Sequence, residues 1–248
     1  MCIRDRTYVA TGQVEGTIRD RWSLDEYDGN LRVAVALWQG KGPNHNGIVV
    51  LHEDGAKLEQ IGHVDHLGVN EDIQSVRWFD DLAVLVTFRQ MDPLYTVDLS
   101  DPAHPQVRGK LKIPGFSSYL HPIGKDRLLG LGTAATNDGS RTGGQVATFD
   151  ISDLTDPTQL SKLQLAYEDN FVAAEDPRAF TFVDDDTAFT TVENWNNGRK
   201  RIIEVHVSPT GELSLGDHWP SRYDVRILPI DEHRVAFVGS VVRLVDLG

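Results

Sequence analysis

Residues 95–113, YTVDLSDPAHPQVRGKLKI, recur as residues 147–165, ATFDISDLTDPTQLSKLQL, at an offset of 52 positions and without a gap. Seven of the 19 aligned positions are identical, and they include the acidic pair Asp98 and Asp150. A match of this length within one chain indicates an internal duplication. An internal repeat constrains the fold more strongly than any local pattern does.

Looser copies of the same unit flank this pair. Each copy has an apolar strand that ends in an acidic residue or a histidine, followed by a turn and a second strand. The residues that end these strands are spaced by 46, 52, 56 and 40 positions; they are His52, Asp98, Asp150, His206 and Asp246. These spacings bracket the period of about 40–50 residues that is typical of propeller blades.

Further pairs of apolar runs lie between these anchors, separated by short turns such as Asp80-Asp81, so each repeat supplies four short antiparallel strands. No stretch has the periodicity of a capped helix. A four-stranded sheet with two apolar faces cannot bury both faces alone, and radial stacking of such sheets leaves only short protected edges. The sequence therefore predicts an all-β fold, a β-propeller of four-stranded antiparallel blades with about five blades in this chain.

The same repeat predicts the domain organisation. We expect a single propeller domain over residues 8–248, because the last repeat supplies three strands and residues 8–14 resemble the missing fourth one. Residues 1–7 fit no strand pattern and are expected to be a spurious or disordered leader of a chain that is truncated at its N terminus. The predicted blade units cover residues 17–64, 73–113, 116–166, 178–218 and 224–247, the last completed by 8–14.

Three stretches of the chain carry a resemblance to a known family. They are residues 16–35 (GTIRDRWSLDEYDGNLRVAV), 73–99 (IQSVRWFDDLAVLVTFRQMDPLYTVDL) and 111–122 (LKIPGFSSYLHP). The chain resembles the secreted bacterial proteins that have a C-terminal β-propeller domain distantly related to WD repeats. The resemblance implies a longer intact protein with an export signal upstream and a secreted or envelope-associated location. It brings no established catalytic residues.

The composition narrows the possible partners. A net charge of −13 argues against binding to nucleic acid phosphates, which requires clustered lysine and arginine. No apolar run approaches the roughly 20 residues that a membrane-spanning helix needs. A hydrophobic fraction of 40% is ordinary for a folded globular protein.

Three carboxylates, Asp25, Glu26 and Asp28, lie within four positions of one another. Oxygen-rich loops of this kind suit Ca²⁺, so one interpretation is a calcium site. The interpretation that we favour is a solvated hairpin turn, because Asp28-Gly29 is a strong hairpin signal. No other cofactor is predicted.

Several basic residues and one histidine are expected near a propeller channel. One interpretation is a basic ring that binds a carboxylate or a phosphate; the other, which we favour, is that each arginine pairs with a nearby aspartate. The histidine follows the run Ser-Ser-Tyr-Leu, which does not match the G-x-S-x-G motif around a catalytic serine. These channel candidates are Arg21, Arg77, His121, Arg178 and Arg226.

Loops between the second and third strands of the repeats are the predicted binding sites, because equivalent connections emerge on one rim and rim loops commonly bind partners. The function predicted first is an exported, non-enzymatic scaffold that binds a protein, peptide or glycan through these loops. The alternative is a channel-centred, metal-assisted hydrolase that uses carboxylates and His121. The rim candidates are Trp38, Asn44, His45, Arg89, Asp92, Asn137, Trp195 and Asn196.

Overall fold

The chain folds as five antiparallel sheets in two compact units. A computed structural model describes residues 7–38, 43–88, 92–231 and 233–247, except for the side chain of Asp92. The first unit contains sheet 1 and most of sheet 2, and the second, which contains sheets 3 to 5, includes the chain from Leu111 onwards. The predicted all-β class, with about five repeated sheets, is confirmed. The single domain over residues 8–248 stays a prediction.

Strands follow one another in chain order within the first unit. Sheet 1 consists of β1 (Leu24–Tyr27), β2 (Asn30–Leu37), β3 (His45–Asp54) and β4 (Lys57–Leu67). Sheet 2 consists of β5 (Asp72–Phe79), β6 (Leu82–Phe88), β7 (Asp92–Asp98) and β8 (Gln106–Ile113). A 3-10 turn, Arg21–Ser23, precedes β1, and its amides are capped by the Asp20 carboxylate.

Sheet 3 of the second unit has the same simple order. It consists of β9 (Phe116–Ile123), β10 (Arg127–Ala135), β11 (Arg141–Asp150) and β12 (Thr158–Gln164). Sheet 5 has three strands among the described residues, which are β18 (Arg226–Asp231), β19 (Arg234–Val238) and β20 (Val242–Asp246). No helix in the described part of the chain is long and apolar enough to cross a membrane.

Sheet 4 differs because its first strand is split. Two short strands pair one after the other with the second strand of the sheet, and 3-10 turns at Val172–Ala174 and Pro177–Ala179 separate them. Pro177 can begin the second turn because its missing N–H is not needed at that position. The strands of this sheet are β13 (Asp169–Phe171), β14 (Phe180–Phe182), β15 (Thr187–Asn194), β16 (Arg199–Val207) and β17 (Leu213–Ser221).

The duplicated sequence forms the same structure twice. Asp98 and Asp150 end β7 and β11, and β8 and β12 begin at residues 106 and 158, which keeps the offset of 52. Each aspartate accepts a hydrogen bond from the amide two residues on, at 2.9 Å from Ser100 and 2.8 Å from Ser152. This side-chain turn explains why both copies keep the Asp-x-Ser pattern.

A backbone hydrogen bond recurs at the end of the third strand, or directly after it, in four sheets. The amide of Leu99 donates to the carbonyl of Asp81 at 2.7 Å, and that of Ile151 donates to Asp126 at 2.8 Å. Sheets 4 and 5 repeat this bond with Val207 and Leu247. Each bond ties the third strand to the turn between the first two strands, so both turns at that end of the sheet are fixed together.

Large apolar residues of the strands form much of the core. Those that are fully enclosed include Leu85, Val97, Leu99, Leu129, Leu131, Phe149, Ile151 and Phe237. The half-buried ones include Trp78, Phe79, Phe88 and Leu111. The indole N–H of Trp78 donates to the carbonyl of Trp22 at 3.0 Å.

The N-terminal segment lies in a different place from the one expected. Instead of forming a fourth strand of sheet 5, Thr11 bridges Lys57 in parallel at the start of β4. Its amide donates to Ala56, and its carbonyl accepts from Leu58 at 2.8 Å. The short strand-like pattern of residues 8–14 did not identify its partner, because pairing between distant segments depends on tertiary contacts.

Candidate functional site

Two connections between second and third strands lie close together in the second unit. One joins β10 to β11 and ends at Arg141, and the other joins β15 to β16 and contains Trp195. Both contact the segment that leads from sheet 3 into β13. The expectation that the β2–β3 connection of the first unit shares a rim with them stays a prediction.

Hydrogen bonds to one short stretch of backbone fix both connections. The guanidinium of Arg141 donates to the carbonyls of Tyr167 at 3.2 Å and Asp169 at 2.6 Å. The indole N–H of Trp195 donates to the Tyr167 carbonyl at 3.4 Å, and the Trp195 amide donates to Glu168 at 2.9 Å. The Tyr167 carbonyl is therefore shared by the two connections.

The rings of Tyr167 and Trp195 meet edge to face above this backbone. Their centroids lie 6.0 Å apart with an interplanar angle of 68°, a favoured geometry for aromatic pairs. Each residue is 51% exposed. We call the surface formed by Arg141, Tyr167 and Trp195 the aromatic platform.

The same stretch of backbone includes a residue with a buried carboxylate that an arginine holds in an ion pair. The Asp169 carboxylate is 1% exposed and accepts two hydrogen bonds from Arg201, at 2.9 and 2.6 Å. It also accepts from the amide of Ala166 at 3.1 Å. The hydrogen bond with Asp169 raises the pKa of Arg201. Burial lowers the pKa of Arg141, but a guanidinium remains charged at neutral pH.

A pocket of about 680 Å³ opens beside the β2–β3 connection of the first unit. Its walls include Trp38, His45, Gln60, His63 and Asp65. Trp38 is 76% exposed, whereas His45 is buried at the start of β3. The volume is in the range of small-molecule sites.

Three potential metal ligands meet at one edge of this pocket. His45, Asp65 and His66 each offer a donor atom, and these atoms lie within 4.8 Å of one another. The imidazole rings of His45 and His66 stack at 4.5 Å with an interplanar angle of 14°. His66 Nδ1 lies 2.6 Å from Asp65 Oδ1, and this hydrogen bond is the main cause that lowers the pKa of Asp65.

The carboxylates considered for calcium are held by the protein itself. Asp25 forms an ion pair with the buried guanidinium of Arg32, and Glu26 accepts from the Gly29 amide at 3.2 Å. Asp28 and Gly29 have φ of 49° and 73°, as the two central residues of a tight hairpin turn require. In the described residues these carboxylates do not form a group of close ligand atoms.

Two of the predicted channel arginines share one aspartate. Arg178 Nε lies 2.8 Å from Asp176 Oδ1, and Arg226 donates to Asp176 Oδ2 at 2.7 Å. The hydrogen bond from Arg178 is the main cause that lowers the pKa of Asp176. Arg178 lies in the 3-10 turn that separates the two short strands of sheet 4.

The remaining channel candidates have separate environments. Arg21 lies in the turn before β1 with its guanidinium 4.7 Å from the centre of the Trp22 ring. Arg77 lies on β5, and its buried Nε has no hydrogen-bond partner among the described residues. His121 Nδ1 lies 2.9 Å from the Tyr119 hydroxyl, and its ring packs against Phe180 at 4.9 Å.

The other rim candidates are polar residues of the connections. The backbone carbonyl of Asn44 accepts a hydrogen bond from the Asn70 amide at 2.6 Å. Asn137 is exposed in the turn between β10 and β11, and the Asn196 amide donates to the side chain of Asn194 at 3.2 Å. Arg89 and the side chain of Asp92 lie outside the described residues.

A family model described as "Beta propeller domain" matches residues 4–214. The chain belongs to this β-propeller family. The five meandering antiparallel sheets are the repeated unit expected of its blades.

Two curated proteins, both titled uncharacterized, are similar to this chain. One, from Archaeoglobus fulgidus, is 43% identical over 150 residues, which cover 60% of this chain and 22% of the relative. The other, from Methanocaldococcus jannaschii, is 38% identical over 163 residues, covering 65% and 25%. The chain thus spans about a quarter of these relatives. Both are archaeal, so they do not support the bacterial and secreted part of the resemblance.

One solved structure with a similar arrangement is the X-ray structure of a hypothetical selenium-binding protein from Sulfolobus tokodaii. The TM-score is 0.42 at 10% sequence identity, with 79% of this chain and 65% of that chain covered.

Several residues of the two sites were not predicted from the sequence. Tyr167, Asp169 and Arg201 come from different strands and connections, so no local pattern links them. The run His63-Val64-Asp65-His66 did carry a signal, because it places three potential ligands within four positions. The closeness of Asp65 and His66 to His45 depends on the pairing of β3 with β4.

Proposed function

We propose that this chain is a non-enzymatic scaffold that binds a polypeptide partner at the aromatic platform. The observation that carries the proposal is the pair of half-exposed rings, Tyr167 and Trp195, in edge-to-face contact. Tryptophan, tyrosine and arginine are the residues most enriched at the energetic centres of protein interfaces. All three occur in this platform.

The platform is ordered before any partner arrives. Arg141 and Trp195 both donate to the Tyr167 carbonyl, and Asp169 beneath them is held by Arg201. A surface that is already fixed loses little side-chain entropy on binding. Its exposed aromatic area is therefore available to stabilise a complex.

The ring geometry favours a polypeptide over a glycan. The two rings meet at 68°, so they form an angular surface that accommodates a branched or aromatic side chain. A sugar ring stacks best on one flat aromatic face. The charge of −13 disfavours nucleic acid as a partner. An exported or envelope location, which the resemblance implies, stays a prediction.

The experiment is a selection of random peptides, displayed on phage, on the immobilised full chain. We expect enrichment of peptides with an aromatic or branched apolar residue. For synthetic versions of those peptides, Trp195→Ala and Tyr167→Ala are each expected to weaken binding at least about tenfold, which corresponds to ~1.4 kcal/mol of an interface hot spot.

Trp22→Ala is the matched control, because Trp22 is also exposed, at 42%, and is not part of the platform. Its affinity for the peptides should equal that of the unchanged protein. The proposal is refuted if Trp195→Ala binds the peptides as tightly as the unchanged protein does. It is also refuted if the protein binds a glycan array through Trp195 and binds no peptide.

A further inference from the structure

The end of β4 gathers histidine and carboxylate side chains that the binding scaffold does not use. His63 and Asp65 lie on β4 two positions apart, and His66 follows directly. His45 begins the neighbouring strand β3, and it is buried. Strand pairing thus brings residues that are about 20 positions apart in sequence to one edge of sheet 1.

We propose that His45, Asp65 and His66 form a binding site for a divalent transition-metal ion, with Zn²⁺ as the probe. The three donor atoms already lie within 4.8 Å of one another. Imidazole and carboxylate ligands bind Zn²⁺ at about 2.0–2.2 Å, which places the donors of a tetrahedral site roughly 3.4 Å apart. Closure of the site therefore needs side-chain movement and no change in the strands.

His66 is the side chain that moves. Its ring stacks on that of His45 at 4.5 Å, and the lone pairs of two parallel rings do not converge on one ion. The His66 side chain is 70% exposed, so it can turn out of the stack at little cost. His66 also has φ of 60°, a left-handed conformation in which histidine is found more often than most residues.

The ligand set selects the class of metal. Two imidazoles and one carboxylate suit Zn²⁺ and other late first-row ions, whereas Ca²⁺ and Mg²⁺ prefer oxygen ligands alone. A carboxylate is ionised at neutral pH, so Asp65 can coordinate the ion without first losing a proton.

Coordination by three protein groups leaves a position open on the ion. His45 and Asp65 also line the pocket of about 680 Å³, so that position lies beside a space with Trp38 and His63 in its walls. A metal with one open position can hold water or an oxygen donor of a small ligand.

A second surface pair in the same unit provides a matched control. His104 Nδ1 lies 2.9 Å from Asp101 Oδ2, and its side chain is 76% exposed, close to the values for His66 and Asp65. In the described residues, however, no third ligand lies near this pair. Substitution of His104 removes a histidine and its aspartate contact but leaves the proposed site intact.

The test is calorimetric titration of ZnCl₂ into the full chain without a histidine tag, after treatment with a chelator. We expect one Zn²⁺ per chain with a Kd in the micromolar range or below. His66→Ala and Asp65→Asn are each expected to weaken binding more than about tenfold. His104→Ala should leave the Kd unchanged.

A Co²⁺ titration provides a second readout that does not depend on heat. Tetrahedral Co²⁺ with nitrogen ligands has visible absorption bands, and these should be lost in His45→Gln and His66→Ala. Circular dichroism spectra equal to those of the unchanged protein would show that the variants are folded. The proposal is overturned if no stoichiometric Zn²⁺ binds, or if His66→Ala and Asp65→Asn bind as tightly as the unchanged protein.

Discussion

The two ends of sheets 2 and 3 differ in how closely they repeat each other. At the end that follows the third strand, Asp98 and Asp150 make the same turn at an offset of 52 residues. At the opposite end, β6 stops at Phe88 and β7 starts at Asp92, whereas the gap between β10 and β11 runs from Ala135 to Arg141. The repeated end maintains the fold, and the variable end carries the aromatic platform.

The strongest effect of the repeated architecture is expected in the core. Phe149 lies on β11 and is fully buried, so Phe149→Ala should lower the free energy of unfolding by ~3–5 kcal/mol. Urea denaturation followed by circular dichroism measures this loss. Leu160→Ala is the control, since Leu160 on the neighbouring strand β12 is 39% exposed. A loss below ~1 kcal/mol for Phe149→Ala would show that β11 is not packed as described.

A smaller effect is expected at the repeated turns. Asp150→Ala removes the acceptor of the Ser152 amide, and we expect a loss of about 0.5–1.5 kcal/mol, as for a typical hydrogen bond. Asp98→Ala should cost a similar amount, because its bond to Ser100 has the same geometry. Clearly unequal losses in the two variants would break the equivalence of the two copies.

The same turns predict a modest dependence of stability on pH. Hydrogen bonds from Ser100 and Ser152 hold the pKa of Asp98 and Asp150 below the ordinary value of 3.8. Their stabilising contribution is therefore complete above that value and is lost as the pH falls through the lowered pKa of the folded state. Urea denaturation between pH 7 and pH 3 should show a smaller decrease for Asp150→Asn than for the unchanged protein. An equal decrease would contradict this prediction.

The sequence predicted the sheets more completely than the sites, for a physical reason. Strand alternation and turn residues are local, so residues 95–113 and residues 147–165 each specify two strands, with the turn after Asp98 or Asp150 between them. Pro177 is a local signal for the second 3-10 turn in sheet 4, but the pairing of both short strands with β15 depends on tertiary contacts. The aromatic platform likewise depends on Tyr167 reaching Arg141 and Trp195 across separate connections.

The metal ligands illustrate the same limit. The run from His63 to His66 holds three potential ligands, but only Asp65 and His66 belong to the cluster, and its third member, His45, comes from elsewhere in the sequence. His45 lies on β3, and only the register of β3 with β4 brings it to Asp65. The sequence therefore pointed to the carboxylate-rich turn at Asp25 as an alternative metal site, and it did not point to Asp65.

The most direct test of the comparison measures binding and stability on the same two variants. Trp195→Ala should weaken binding of a selected peptide at least about tenfold and change the free energy of unfolding by less than ~0.5 kcal/mol. Asp150→Ala should give the opposite pattern, a loss of ~1 kcal/mol in stability with unchanged peptide affinity. The account is contradicted if Asp150→Ala weakens binding of the peptide as much as Trp195→Ala does. It is also contradicted if Trp195→Ala lowers the free energy of unfolding more than Asp150→Ala does.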